Sequence, residues 1–146
     1  MKRIIRVISL LVSSILLLSI PIYAEESGTY SSIFFCSYDS SIRNPSGRNL
    51  EIWFDVVGNG TMDEIGASCI ELERSSNGTN WTVVHTFSPE DYPQMICTNT
   101  GMNYDCVSYK GSYGYYYRAH VTCYAKNSRG QGYMNDYSET IYLSLF

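Results

Sequence analysis

From residue 33 onward, apolar and polar residues alternate with period two, in short segments separated by clusters of Gly, Asn, Ser and Pro. Leu50, Ile52, Phe54 and Val56 alternate with Glu51, Trp53 and Asp55, which predicts a strand over 50–56 with its aliphatic side inward and Trp53 outward. Gly58-Asn59-Gly60 is expected to end it. The stretch 65–74 reads as the next strand, with Ser68, Ile70 and Leu72 on one face and Cys69, Glu71 and Glu73 on the other. Asn77-Gly78 supplies the positive-φ residues of a tight hairpin turn, and Trp81, Val83 and His85 begin the return strand. An irregular stretch is expected over 88–105 and a short strand over 106–110. The longest strand is expected over 115–125, with Tyr117, Ala119, Val121, Cys123 and Ala125 as its inward row and Tyr116, Arg118, His120, Thr122 and Tyr124 as its outward row. A strand over 33–38, followed by the turn Asn44-Pro45-Ser46-Gly47, opens the sheet. After a turn at 127–132, a strand over 137–145 closes it. With almost no helical period, these strands predict an all-β fold: an antiparallel β-sandwich of about seven strands in one domain, 25–146.

The first 24 residues have a different pattern. Lys2, Arg3 and Arg6 precede an uncharged run from Val7 to Ile20, Pro21 breaks it, and Ala24 leads into Glu25-Glu26. A positive head, an apolar middle and a small residue before an acidic start make a cleavable secretory signal over 1–24. The run is shorter than the roughly 20 apolar residues that a membrane span requires. The expected localisation is therefore secreted, either extracellular or loosely surface-associated, with no membrane partner once the leader is gone.

Composition narrows the partners. The leader holds three of the ten basic residues and none of the fourteen acidic ones, so the remainder carries a charge near −7. That balance argues against nucleic acid and anionic membranes, which require clustered Lys and Arg. All but Tyr23 of the 14 tyrosines lie in the mature part. Five cysteines do too, an odd count that leaves at least one unpaired or joined to another molecule outside the cell. Cys97 and Cys106 bracket a polar, glycine-containing segment that reads as a loop, and they form the local disulfide candidate; the alternative is that all five thiols are free.

No catalytic constellation, metal cluster or nucleotide loop stands out, and no cofactor is expected. His85 and His120 lack a nucleophile elbow, and Cys123 lies three residues from His120, hence on the opposite face of a strand. Asp63-Glu64 and Glu90-Asp91 lack the alternating spacing of a calcium loop. The expected binding face is Trp53, Tyr116, Arg118 and Tyr124, since outward aromatics beside a cation suit sugar stacking or protein contact. The expected binding loop contains Met102 and Tyr104.

The hairpin from Ile70 to Val84, with Asn77-Gly78 before Trp81, resembles a fibronectin type III or immunoglobulin-like sandwich. So do Gly114-Tyr115-Tyr116-Tyr117-Arg118-Ala119 and the later Tyr137-Ser138-Glu139, although the span from Tyr117 to Asn127 exceeds the type III pattern. The leader, Asp63-Glu64-Ile65-Gly66, Asn-Gly-x-x-Trp and Gly-Tyr-x-Tyr-Arg-Ala together resemble a domain-of-unknown-function family of small exported Gram-positive bacterial proteins, over most of 30–142. This resemblance implies a fold and export, and brings no activity or site residues. The functional expectation is a secreted, non-enzymatic binding module for an unknown protein or carbohydrate, of unknown oligomeric state. The alternatives are a surface-assembly protein joined through the odd cysteine or a sheet edge, and a small hydrolase with an unfamiliar site.

Overall fold

The computed structural model describes residues 33–145, and the leader assigned to 1–24 lies outside them. Seven strands follow in order: β1 Phe35–Ser46, β2 Asn49–Ser75, β3 Thr82–Phe87, β4 Ile96–Lys110, β5 Tyr115–Asn127, β6 Gly130–Tyr137 and β7 Ile141–Leu143. Pro93–Met95 adds one turn of 3-10 helix before β4. Every strand pairing is antiparallel, so the all-β antiparallel class expected from the alternation is the observed one.

The strands expected over 50–56 and 65–74 are a single strand, β2, of 27 residues. Gly58-Asn59-Gly60 bends this strand instead of ending it. Pairing with β1 stops at Gly58, and the register with β4 slips between Val57 and Met62. Gly60 takes a φ of +102°, and the Asn59 N–H donates to the Phe34 carbonyl at 2.8 Å. Extra unpaired residues in one strand turn it sharply while the ladder resumes on both sides. β4 bends opposite this point, where Asn99 has a φ of +53°. The irregular stretch expected over 88–105 is therefore strand from Ile96 onward.

The double bend folds one continuous hydrogen-bonded sheet into two layers. The first contains β1, the early part of β2 and the late part of β4. The second contains the late part of β2, the start of β4, and β3, β5, β6 and β7. The fibronectin type III or immunoglobulin resemblance implies two separate sheets, whereas here β2 and β4 each pass through both layers. Between the layers lie Leu50, Ile52, Phe54 and Val56 from one side and Ile70, Leu72, Tyr117, Ala119, Val121, Cys123 and Ala125 from the other, all buried. The parity of β2 changes at a bulge: both Ala67 and Ile70 point inward because the register with β5 slips between Ala67 and Cys69. Ser68, expected to share a face with Ile70 and Leu72, instead donates through Oγ to the Thr122 carbonyl at 3.1 Å.

Tyr117 locks the turn before β5. Its ring is buried, and its hydroxyl accepts from the Ser112 N–H at 2.8 Å and donates to the Ser112 carbonyl at 3.3 Å. Tyr117→Phe keeps the ring and removes both bonds, so it is expected to lower stability by about 1–2 kcal/mol. The loss will appear as a lower urea midpoint at unchanged slope. A wild-type midpoint would remove Tyr117 from this role.

Candidate functional site

The outer surface of the second layer is built around β5. Tyr116, Arg118, His120, Thr122 and Tyr124 alternate outward against a fully buried inward row, as the period predicts. On one side β2 lines up carboxylates across from them. Arg118 Nε lies 2.6 Å from Glu73 Oε2, His120 Nδ1 3.2 Å from Glu71 Oε2, and Lys126 Nζ 3.1 Å from Glu64 Oε1. Tyr124 donates its hydroxyl to Glu64 Oε2 at 3.0 Å. The bonds from Lys126 and Tyr124 hold the Glu64 carboxyl below its ordinary range. Desolvation first, and the carboxylate acceptor second, push the Tyr124 phenol up to about 12. At neutral pH Glu64 is thus charged and Tyr124 is a neutral donor to it.

On the other side, β6 and β7 supply a tyrosine for each of the outward aromatics Tyr116, His120 and Tyr124 of β5. Tyr116 meets Tyr142 at 4.8 Å between ring centroids, His120 meets Tyr137 at 4.4 Å, and Tyr124 meets Tyr133 at 5.2 Å. The three outer tyrosines remain 53%, 52% and 49% exposed, respectively. The Arg118 guanidinium packs over both the Trp81 ring at 4.4 Å and the Tyr137 ring at 4.8 Å. Between the rungs, Thr122 Oγ1 donates to Asn135 Oδ1 at 3.1 Å. Sequence reasoning did not single out Tyr133, Tyr137, Tyr142 or Trp81 for this face. The signal for Tyr133 and Tyr137 is the spacing Tyr133-x-Asn135-x-Tyr137, which is hidden because β6 is rich in Gly, Asn and Asp and resembles a turn.

Trp53 does not belong to this face. It points outward from the first layer, where its ring stacks on Tyr104 at 5.1 Å, Arg43 lies 5.4 Å away over the ring, and its indole N–H donates to Glu51 Oε2 at 3.1 Å. The expected four-residue binding face is therefore split, because β2 changes layers between Trp53 and the residues that pair with Tyr116 and Arg118. Met102 and Tyr104, expected on a loop, are outward, exposed positions of strand β4. Tyr104 and Trp53, singled out for separate reasons, meet here.

The expected Cys97–Cys106 bridge does not form. Both residues lie on β4, on either side of its bend, so they sit in different layers instead of facing each other across a loop. Cys97 pairs with Ile65 in one layer and Cys106 with Trp53 in the other, and all five thiols are free. Burial pushes the Cys123 thiol up to about 12, aided by Asp136, and burial also raises Cys69 and Cys106. Cys36 lies exposed on β1. A thiol-specific reagent on the folded protein is therefore expected to label Cys36 first and Cys123 only after denaturation, as read by the mass of tryptic peptides. Labelling of Cys123 at the rate of Cys36 would contradict the packing described.

His85 packs edge-on to Phe87 at 4.4 Å and beside Tyr109 at 5.3 Å, away from any described carboxylate contact. Cys123 and His120 face opposite sides of β5. Among the described residues, no group of three or more His, Cys, Asp or Glu is disposed to hold a metal ion. Searches against protein-family models, curated proteins and solved structures found no significant match to the chain.

Proposed function

We propose that the chain is an exported, non-enzymatic binding module whose ligand, a protein or a carbohydrate, contacts the outer face of the second layer. The observation that carries this reading is the row of three half-exposed tyrosines, Tyr133, Tyr137 and Tyr142, each backed by an aromatic of β5. Tyrosine contributes large, rigid contact area with a polar tip, and it is enriched at contact sites. The pairing beneath gives these rings fixed positions, so little side-chain freedom is lost when a ligand arrives. The charged leader and its uncharged run support export.

Alanine at both Tyr116 and Tyr124 is the test, read on a glycan array and by pull-down from culture medium. Loss of the retained ligand at an unchanged circular dichroism spectrum is expected. Undiminished retention means that this face is ordinary sheet surface.

A further inference from the structure

We propose that the tyrosine face takes a linear, uncharged oligosaccharide lying along β5 and β6 across all three aromatic rungs, an inference that rests on the binding-module reading and deepens it. The rungs are periodic. Tyr116, His120 and Tyr124 fall at every fourth residue of β5, and the rise of a strand sets successive rungs roughly 13 Å apart. Each rung has its partner tyrosine within the stacking range already given. A surface that repeats along a line fits a ligand that repeats along a line. Linked pyranose rings do so, and they offer apolar C–H faces to aromatic rings.

The electrostatics select against charge. Arg118 faces Glu73, His120 faces Glu71 and Lys126 faces Glu64, so each basic side chain of the row has a carboxylate beside it. A polyanion would have to break those pairs and approach a mature chain of net charge near −7. A polycation would meet carboxylates already engaged. Two neutral amides beside the rungs keep bonding capacity. Asn135 accepts from Thr122 through Oδ1 and retains its amide donors, while Gln131 donates Nε2 to the Tyr133 hydroxyl at 3.2 Å and retains its carbonyl oxygen. Amides beside aromatic rings suit hydroxyl-rich, uncharged ligands.

The test is isothermal titration of the intact mature protein with cellohexaose, chitohexaose and mannohexaose, with the matching disaccharides, and with an oligogalacturonate as the charged control. At least one neutral hexasaccharide is expected to bind. Its disaccharide, which reaches one rung, is expected to bind about ten-fold or more weakly. High salt should change the hexasaccharide affinity by less than about two-fold, because no ionic contact is made. Tyr133→Ala and Tyr137→Ala should each weaken it roughly three- to ten-fold, Tyr137→Phe should preserve it, and Tyr104→Ala on the other layer should leave it unchanged. Three results would overturn the assignment: no binding of any neutral hexasaccharide, an affinity that collapses in salt, or wild-type affinity in a folded Tyr133→Ala/Tyr137→Ala variant. If the glycans fail while a protein is retained through the same tyrosines, the oligosaccharide assignment falls and the binding module stands. If neither binds, both fall.

Discussion

Replacing Gly66 by alanine is expected to cost at least about 4 kcal/mol, a large part of the stability of a domain this size. Gly66 lies on β2 just past the bend, with a φ of +149° that side chains with a Cβ rarely adopt. A Cβ there would overlap the Met95 carbonyl oxygen and lie 2.6 Å from Asn103 Nδ2. Both are held: Met95 is fully buried at the end of the 3-10 turn, and Asn103 is buried on β4. The clash is with backbone and a packed amide, so no flexible side chain can swing aside. Urea denaturation should show the midpoint falling by roughly 2 M or the transition vanishing. A shift below about 1 kcal/mol would mean that β4 can move away from β2 here, contrary to the packing.

Asn103→Asp is expected to be nearly as damaging at neutral pH, with a pH dependence opposite to that of an ordinary salt-bridged carboxylate. Asn103 Nδ2 donates to the carbonyls of Met95 at 3.0 Å, Gln94 at 3.1 Å and Ile65 at 3.5 Å, tying the turn before β4 to β2. An ionised aspartate would aim charge at these carbonyl oxygens with no proton to give. Burial and the acceptors together must raise its folded pKa above the unfolded value near 4. With the folded pKa raised, the variant is most stable below the unfolded value and loses stability as pH rises through the folded one. The expected deficit at pH 7 is about 3 kcal/mol, smaller in acid, where the protonated acid restores one of the bonds. Equal deficits in acid and at neutrality would contradict this geometry. Because Gly66 and Asn103 share the Met95 carbonyl, combining the two changes should cost less than their sum.

Positions whose burial follows a strict period of two were legible from the sequence. The inward rows 50–56 and 117–125 fall where the alternation puts them, because each strand has one buried face. The hairpin at Asn77-Gly78 was legible because its chemistry is local: Ser75 Oγ accepts from the Asn77 and Gly78 N–H groups, and Asn77 Oδ1 from those of Thr79 and Asn80. What escaped depended on partners distant in sequence. Gly58-Asn59-Gly60 has the composition of a strand end, and only the ladders with β1 and β4 make it a bend. The parity change at Ser68 comes from β5, more than fifty residues away. β6 has few apolar residues because it lies at the end of the strand order, paired with β5 alone in the ladder. The candidate face was half visible for the same reason. Its β5 row follows from period alone, while the tyrosines that complete it depend on which strands pair with β5.

Residue-resolved NMR during titration with the best-binding neutral hexasaccharide tests the tyrosine ladder most directly. Saturable chemical-shift changes confined to Tyr116, His120, Thr122, Tyr124, Tyr133, Asn135, Tyr137 and Tyr142 are expected. Changes centred on Trp53 and Tyr104, or none at saturating ligand, would contradict it.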